Sequence, residues 1–154
     1  MLFYLLLRLS MEKISNFILP AKTFKNEAEF TTWFWWQIRK NGGFFHKISD
    51  ESRGLKPFDS LLAYRWYVAA VEIKFVRSAS CYPFWLLRWS SPSKPWAQVE
   101  WLRDFQINGW NSIMVVYSAT KHAYIVVDFA RLDLSTKVHF PCSEETLHKT
   151  STNQ

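Results

Sequence analysis

Two carboxylates and one amine dominate the chemistry this chain could perform. Asp59 closes the run Lys56-Pro57-Phe58-Asp59, twelve residues follow, and then comes Glu72-Ile73-Lys74. In an extended strand alternate side chains share a face, so Glu72 and Lys74 project together while Val71, Ile73 and Phe75 turn the other way. Asp59 opens the preceding strand, and hairpin pairing of the two strands would bring it beside Glu72. Carboxylate oxygens at close range suit a hard dication such as Mg²⁺ (or Mn²⁺), which keeps several waters and also meets substrate phosphate. Such an ion polarises a phosphoryl oxygen and acidifies a bound water. A neighbouring ammonium can orient that water or stabilise charge growing on the phosphate. Phosphodiester hydrolysis is the reaction this trio fits.

These residues need strands to carry them and helices to cover the strands. The aromatic segment from Phe24 to Lys40, with Lys40 in its last turn and Gly42-Gly43 as a stop, predicts a helix. Glu27, Phe30, Phe34 and Ile38 share one of its faces, and Glu29, Trp33 and Trp36 nearly the opposite one. Apolar residues on both faces imply cover on two sides, one from a sheet and the other from a partner or the N-terminal segment. Strands are expected at Phe44–Ile48, Phe58–Tyr64, Tyr67–Val76, Ser112–Tyr117 and Ala123–Asp128, and a helix at Gln98–Ile107. Ser49–Lys56 and Ser90–Pro95 read as loops. The turn Tyr64-Arg65-Trp66 is unusual in containing no Gly, Asn, Asp or Pro. Helices alternating with strands define an α/β domain with a central covered sheet.

The chain has 154 residues, of which 49% are apolar and 21% charged, which excludes general disorder and is the size of one domain. Nineteen Lys+Arg against 13 Asp+Glu leave a charge of +6, which suits a polyanionic partner. The apolar opening, Met1 to Leu7, is too short to span a membrane and lacks the marks of a signal peptide. Residues 1–20 are taken as an N-terminal apolar lead, either a packed segment or one that natively starts at Met11, which would leave residues 1–10 outside the functional chain. Residues 21–142 form one domain, and 143–154 a polar tail. Cys81 and Cys142 make no disulfide framework, consistent with a reduced cytoplasmic setting. His46, His122, His139 and His148 lack metal-ligand spacing, and no phosphate-cradling or dinucleotide-binding loop is present, so no nucleotide cofactor is expected.

With Glu27 added, the ordered set Glu27, Asp59, Glu72, Lys74 resembles the E…D…ExK signature of the PD-(D/E)XK nuclease superfamily. Within it, the chain is most similar to the Holliday-junction resolvases of archaeal and RecU-like type. The resemblance extends through Glu27-x-x-Phe30, Gly42-Gly43, Phe44-Phe-His-Lys-Ile48, Gln98-x-x-x-Leu102, Gly109 and Ile113-Met-Val-Val116, covering Lys22 to Asp128. Phe58 separates Pro57 from Asp59, where many members have the two adjacent. The resemblance implies a restriction-endonuclease-like α/β core with a mixed four- to five-stranded sheet flanked by helices. It implies metal ligands at Asp59, Glu72 and the backbone carbonyl of Ile73, a water-orienting Lys74, a helix-borne acid at Glu27 and a supporting Gln98. It also implies a homodimer acting on DNA four-way junctions, in recombination or repair.

Several residues have competing roles. Asn26-x-x-Glu29 has the shape of a capping box, which leaves Glu29 as a reserve for the helix-borne acid. Lys47, Arg53 and Lys56 flank the trio and are candidates for phosphate contacts; Arg77, Arg88 and Lys94 would extend such a track. Trp85, Trp89 and Trp96 could stack on unpaired bases. Two other readings stand beside the resolvase: a repair, restriction-like or RNA nuclease using the same site, and a non-catalytic nucleic-acid-binding module.

Overall fold

The computed structural model describes residues 1–48, 58–78, 81–90 (side chains to residue 87) and 95–140. The expected loop at Ser49–Lys56, with Arg53 and Lys56, lies outside the described residues. So do Lys94, Cys142, the polar tail and the side chains of Arg88 and Trp89.

Chain order is α1 (Leu2–Ser15), α2 (Glu27–Lys40), β1 (Phe44–Lys47), β2 (Ser60–Tyr64), β3 (Tyr67–Val76), β4 (Cys81–Pro83), a 3₁₀ helix (Phe84–Ser90), α3 (Ala97–Ile107), β5 (Asn111–Ser118), β6 (Ala123–Asp128), a short 3₁₀ turn (Phe129–Arg131) and β7 (Lys137–His139). Five strands form one mixed sheet in the order β1-β2-β3-β5-β6, in which β3 and β5 are parallel and the other neighbours antiparallel. Parallel neighbours need a crossover, and the segment between β3 and β5 supplies it with β4, the 3₁₀ helix and α3. β4 and β7 pair as a separate two-stranded ribbon. Each expected strand and helix is present with its ends within two residues of the expectation, except that α2 starts at Glu27 and not at Phe24. Neither β4, β7 nor α1 was expected: three-residue strands carry no readable period, and α1 has no first-turn acid or side-chain cap.

Two apolar layers sandwich the sheet. On one face Tyr67, Ala69, Val71 and Ile73 of β3 pack with Ile14 and with Phe30, Phe34 and Ile38 of α2. On the other, Ala70, Met114 and Val116 pack with Val99 and Leu102 of α3 and with Phe84 and Leu87. α2 is docked by one aromatic cluster: the Phe30 ring stacks on Tyr117 at 4.9 Å and also meets Phe24, Trp33 and Tyr124. The second apolar face of α2 is covered in part by the N-terminal segment, since Phe17 and Phe24 both contact Trp33. Trp36 remains 57% exposed.

The N-terminal lead is a packed helix. Ile14 is in the interior, and the Tyr124 hydroxyl ties its end to the sheet by donating to the Ile14 carbonyl and accepting from the Phe17 N–H, both at 2.7 Å. The segment between α1 and α2 is held similarly. His122 Nε2 donates to the Pro20 carbonyl, and the Tyr117 hydroxyl, in contact with His122 Nδ1, accepts from the Phe24 N–H.

The Arg65-Trp66 turn closes the β2–β3 hairpin with φ of 43° and 71°. A two-residue hairpin of this type requires both residues in the left-handed region, which costs about 1–2 kcal/mol for each non-glycine. The Arg65 guanidinium lies 5.4 Å from the Tyr64 ring, and Ser10 Oγ donates to the Arg65 carbonyl. The tight turn fixes the hairpin register, which brings Ser60 opposite Val71.

Candidate active site

That register determines how Asp59 meets Glu72. With Ser60 opposite Val71, Asp59 and Glu72 fall opposite each other one step further along, and the Asp59 N–H donates to the Val71 carbonyl at 3.1 Å. The Asp59 side chain folds onto the partner strand, where Oδ2 accepts from the Ile73 N–H at 2.9 Å. In a strand the N–H and C=O of one residue lie on the same edge, so the Ile73 carbonyl also faces the Asp59 side.

Glu72 is 1% exposed on a sheet face whose other neighbours, Lys74 apart, are apolar. Its Oε1 accepts from Lys74 Nζ at 2.7 Å; its buried Oε2 has no hydrogen-bond partner among the described residues. Lys74 Nζ also donates to Gln98 Oε1 at 3.3 Å, which joins α3 to the pair. Burial pushes the Glu72 carboxyl up to about 7; the Lys74 charge opposes this, and the charges of Asp59 and Glu27 add to it. Burial alone would lower Lys74, but the charge and hydrogen bond of Glu72, followed by Tyr82 and Asp59, outweigh it and hold the ammonium above its ordinary value. Asp59, Glu72, Lys74 and Gln98 therefore come together as one cluster, with Glu27 near enough for Glu72 to feel its charge. Among the described residues no three His, Cys, Asp or Glu side chains close around a single metal position; the oxygens that could serve a hard dication such as Mg²⁺ or Mn²⁺ are the buried Glu72 Oε2, which has no hydrogen-bond partner among the described residues, the Asp59 carboxylate and the Ile73 carbonyl.

The unusual titration of Glu72 gives a test. Its folded pKa of about 7 lies above the ordinary 4.5. The native state thus holds a proton through that window that the unfolded chain has lost, and stability falls as pH rises across it. Without divalent ions, the wild-type melting temperature is expected to drop between pH 5 and pH 8. Glu72→Gln should flatten that slope; equal slopes in the two proteins would rule out a buried, proton-loaded Glu72.

The remaining candidates fall into place around the cluster. Glu29 works at the helix end: its N–H donates to Asn26 Oδ1, and its Oε2 accepts from the Lys25 N–H, both at 2.9 Å. Lys47 ends β1 opposite Ser60 and is exposed, one residue from Asp59 along β2. Of the tryptophans, Trp85 is exposed, whereas Trp96 is half-buried against the α3 side of the core in a left-handed conformation (φ 66°). One residue escapes sequence reasoning altogether. Tyr82 of β4 is buried, its phenol raised by burial against the opposing charge of Lys74, and it also senses Glu72 and Glu27. A tyrosine in a three-residue strand of a crossover gives no local signal of such a position.

The mixed sheet, the crossover helix on the acidic-cluster face and α2 on the other define a restriction-endonuclease-like α/β fold. A solved structure to which the chain is similar is that of Hjc, a Holliday junction resolvase from the hyperthermophilic archaeon Archaeoglobus fulgidus. The TM-score is 0.50 and the identity 16%, over 73% of this chain and 87% of that one. No family model and no curated protein sequence matches the chain. Among the described residues no helix is long and apolar enough to cross a membrane.

Proposed function

We propose that the chain is a divalent-metal-dependent endodeoxyribonuclease that cuts branched DNA, with the four-way junction as its preferred substrate. The observation that carries this reading is the convergence of Asp59, Glu72, Lys74 and Gln98 on one sheet face of a fold similar to that of a resolvase. Asp59, Glu72 and the Ile73 carbonyl would hold Mg²⁺ or Mn²⁺. The ion would supply Lewis acidity to a phosphoryl oxygen and make a bound water more acidic.

The protein's own groups do the positioning. An ammonium has three N–H donors; Glu72 Oε1 and Gln98 Oε1 take two of them, and with the side chain 22% exposed the third would serve the attacking water. That donor orients the attacking water toward phosphorus and then meets the charge that grows on the phosphate. Gln98 is a positioning residue acting through Lys74. Glu27 serves the outer side of the water network, and Lys47, Arg53 and Lys56 contact phosphates flanking the cut. Cutting a four-way junction symmetrically needs two sites related by a two-fold axis, so the working form is a homodimer. The catalytic unit is the single domain over residues 21–142 together with α1, whose Ile14 and Phe17 complete its core, acting on DNA inside the cell.

The test is a panel of labelled substrates: four-way junction, flap, linear duplex, single-stranded DNA and RNA, each with Mg²⁺ and with EDTA. Metal-dependent products should appear first on the junction. Equal cleavage of every DNA form would refute junction preference, cleavage of RNA alone would reassign the substrate, and salt-sensitive binding without cleavage would favour the non-catalytic module.

A further inference from the structure

Three segments distant in sequence are stitched into one surface at the end of β3: residues 20–25 ahead of α2, residues 76–78 where β3 ends, and the β5–β6 turn at residues 118–122. The Arg77 guanidinium donates to the Lys25 carbonyl at 3.4 Å, Thr120 Oγ1 donates to the Arg77 carbonyl at 2.8 Å, and the Ala119 N–H donates to the Val76 carbonyl at 2.9 Å. His122 Nε2 reaches the Pro20 carbonyl. Together the three segments carry Lys22, Lys25, Arg77 and Lys121 and contribute no Asp or Glu. Lys22, Lys25 and Arg77 are exposed, and Lys121 half-exposed. The nearest acids in the chain, Glu27 and Glu29, begin α2, and Glu29 is engaged in its cap.

We propose that Arg77, Lys25 and Lys121 form a phosphate-binding ledge that holds the DNA backbone on one side of the cut. The choice of DNA as occupant rests on the nuclease reading; the surface itself rests on the convergence of the three segments. Arg77 directly follows the end of β3, three residues beyond Lys74 and so with its backbone at most about 10 Å away at roughly 3.3 Å per residue, its side chain leaving on the α2 side of the sheet where it meets Lys25. At about 3.4 Å of rise per nucleotide of one strand, that backbone separation puts the expected phosphate contacts about three steps from the scissile bond. The ledge binds by charge, and its contribution does not depend on base sequence.

The experiment measures binding of the full chain to a labelled four-way junction without divalent ions, from 50 to 200 mM KCl. The Lys25→Ala/Arg77→Ala/Lys121→Ala variant should bind on the order of tenfold or more weakly at 100 mM salt, with its log–log salt slope shallower by about 2–3, near 0.9 per lost phosphate contact. Arg77→Lys in an otherwise wild-type chain should keep the slope. Lys121→Glu, whose side chain makes no described structural hydrogen bond, should weaken binding with an unchanged melting temperature. Single methylphosphonates about three steps from the cut should weaken the wild type and leave the triple variant unaffected. An unchanged salt slope in the triple variant would overturn the ledge even if cleavage proceeds. A shallower slope in a protein that cleaves nothing would keep the ledge and sink the nuclease reading instead.

Discussion

Lys74→Met is expected to lower junction cleavage in Mg²⁺ by about 10²–10³-fold, the usual loss when one preorganised donor is removed from a developing negative charge. The methionine fills similar space and leaves Glu72 and Gln98 in place, so the loss reports the ammonium. Lys74 donates to Glu72 and Gln98 and is mostly covered; its removal should change DNA affinity only a few-fold. A second consequence separates water orientation from charge balance. Lys74 opposes the upward shift of the Glu72 carboxyl, so without it Glu72 holds its proton to still higher pH. If Lys74 served only to keep Glu72 ionised, raising the pH to 9 would restore cleavage. Orientation of the water by Lys74 requires that most of the defect persist at pH 9. Undiminished cleavage by Lys74→Met at neutral pH would remove this residue from the mechanism.

The largest stability effect is expected at Phe30. Its side chain is fully buried, stacked on Tyr117 and ringed by Phe24, Trp33, Phe34 and Tyr124. Phe30→Ala should cost about 3–5 kcal/mol through lost burial and the cavity left behind. That is a large share of the roughly 5–15 kcal/mol by which a domain is stable. At about 2–4 °C per kcal/mol for a chain of this size, the melting temperature should fall by roughly 6–20 °C. Phe30→Leu, which keeps most of the volume, should lose much less. Because Glu27 lies one turn before Phe30 on the same side of α2, loosening the helix should lower cleavage as well. A fall of under 3 °C in Phe30→Ala would mean that α2 is not anchored by this cluster.

These expectations depend on features read at different depths. The alternation of β3 was legible because a strand's two faces are written in a period of two, and Glu72 and Lys74 break an otherwise apolar face. The pairing of Asp59 with Glu72 followed from a hairpin of ordinary length. The capping use of Glu29 was visible in its spacing from Asn26, since a helix end is a local structure. The turn that sets the register was not legible in the same way. Arg65 and Trp66 occupy conformations their own preferences disfavour, and their place is imposed by strand pairing on both sides and by Ser10 from α1. The extra helix was missed because the first seven residues are nearly uniformly apolar, so no polar face revealed a period.

What the amino-acid order determined by itself is the set of local faces: which side chains share a strand side, where α2 begins and ends, and that two acids and a lysine project together from a hairpin. What only the tertiary structure decided is which of those faces meet. Gln98 reaches Lys74, Tyr82 enters the field of the acids, and Arg77 contacts the segment ahead of α2 because a crossover and a mixed sheet bring together segments far apart in the chain, 24 residues for the first contact and 52 for the last. The physical reason is that periodicity is a short-range property of the backbone. A buried charge network is set by the packing of whole elements, whose free energy is shared among many side chains far apart in the chain.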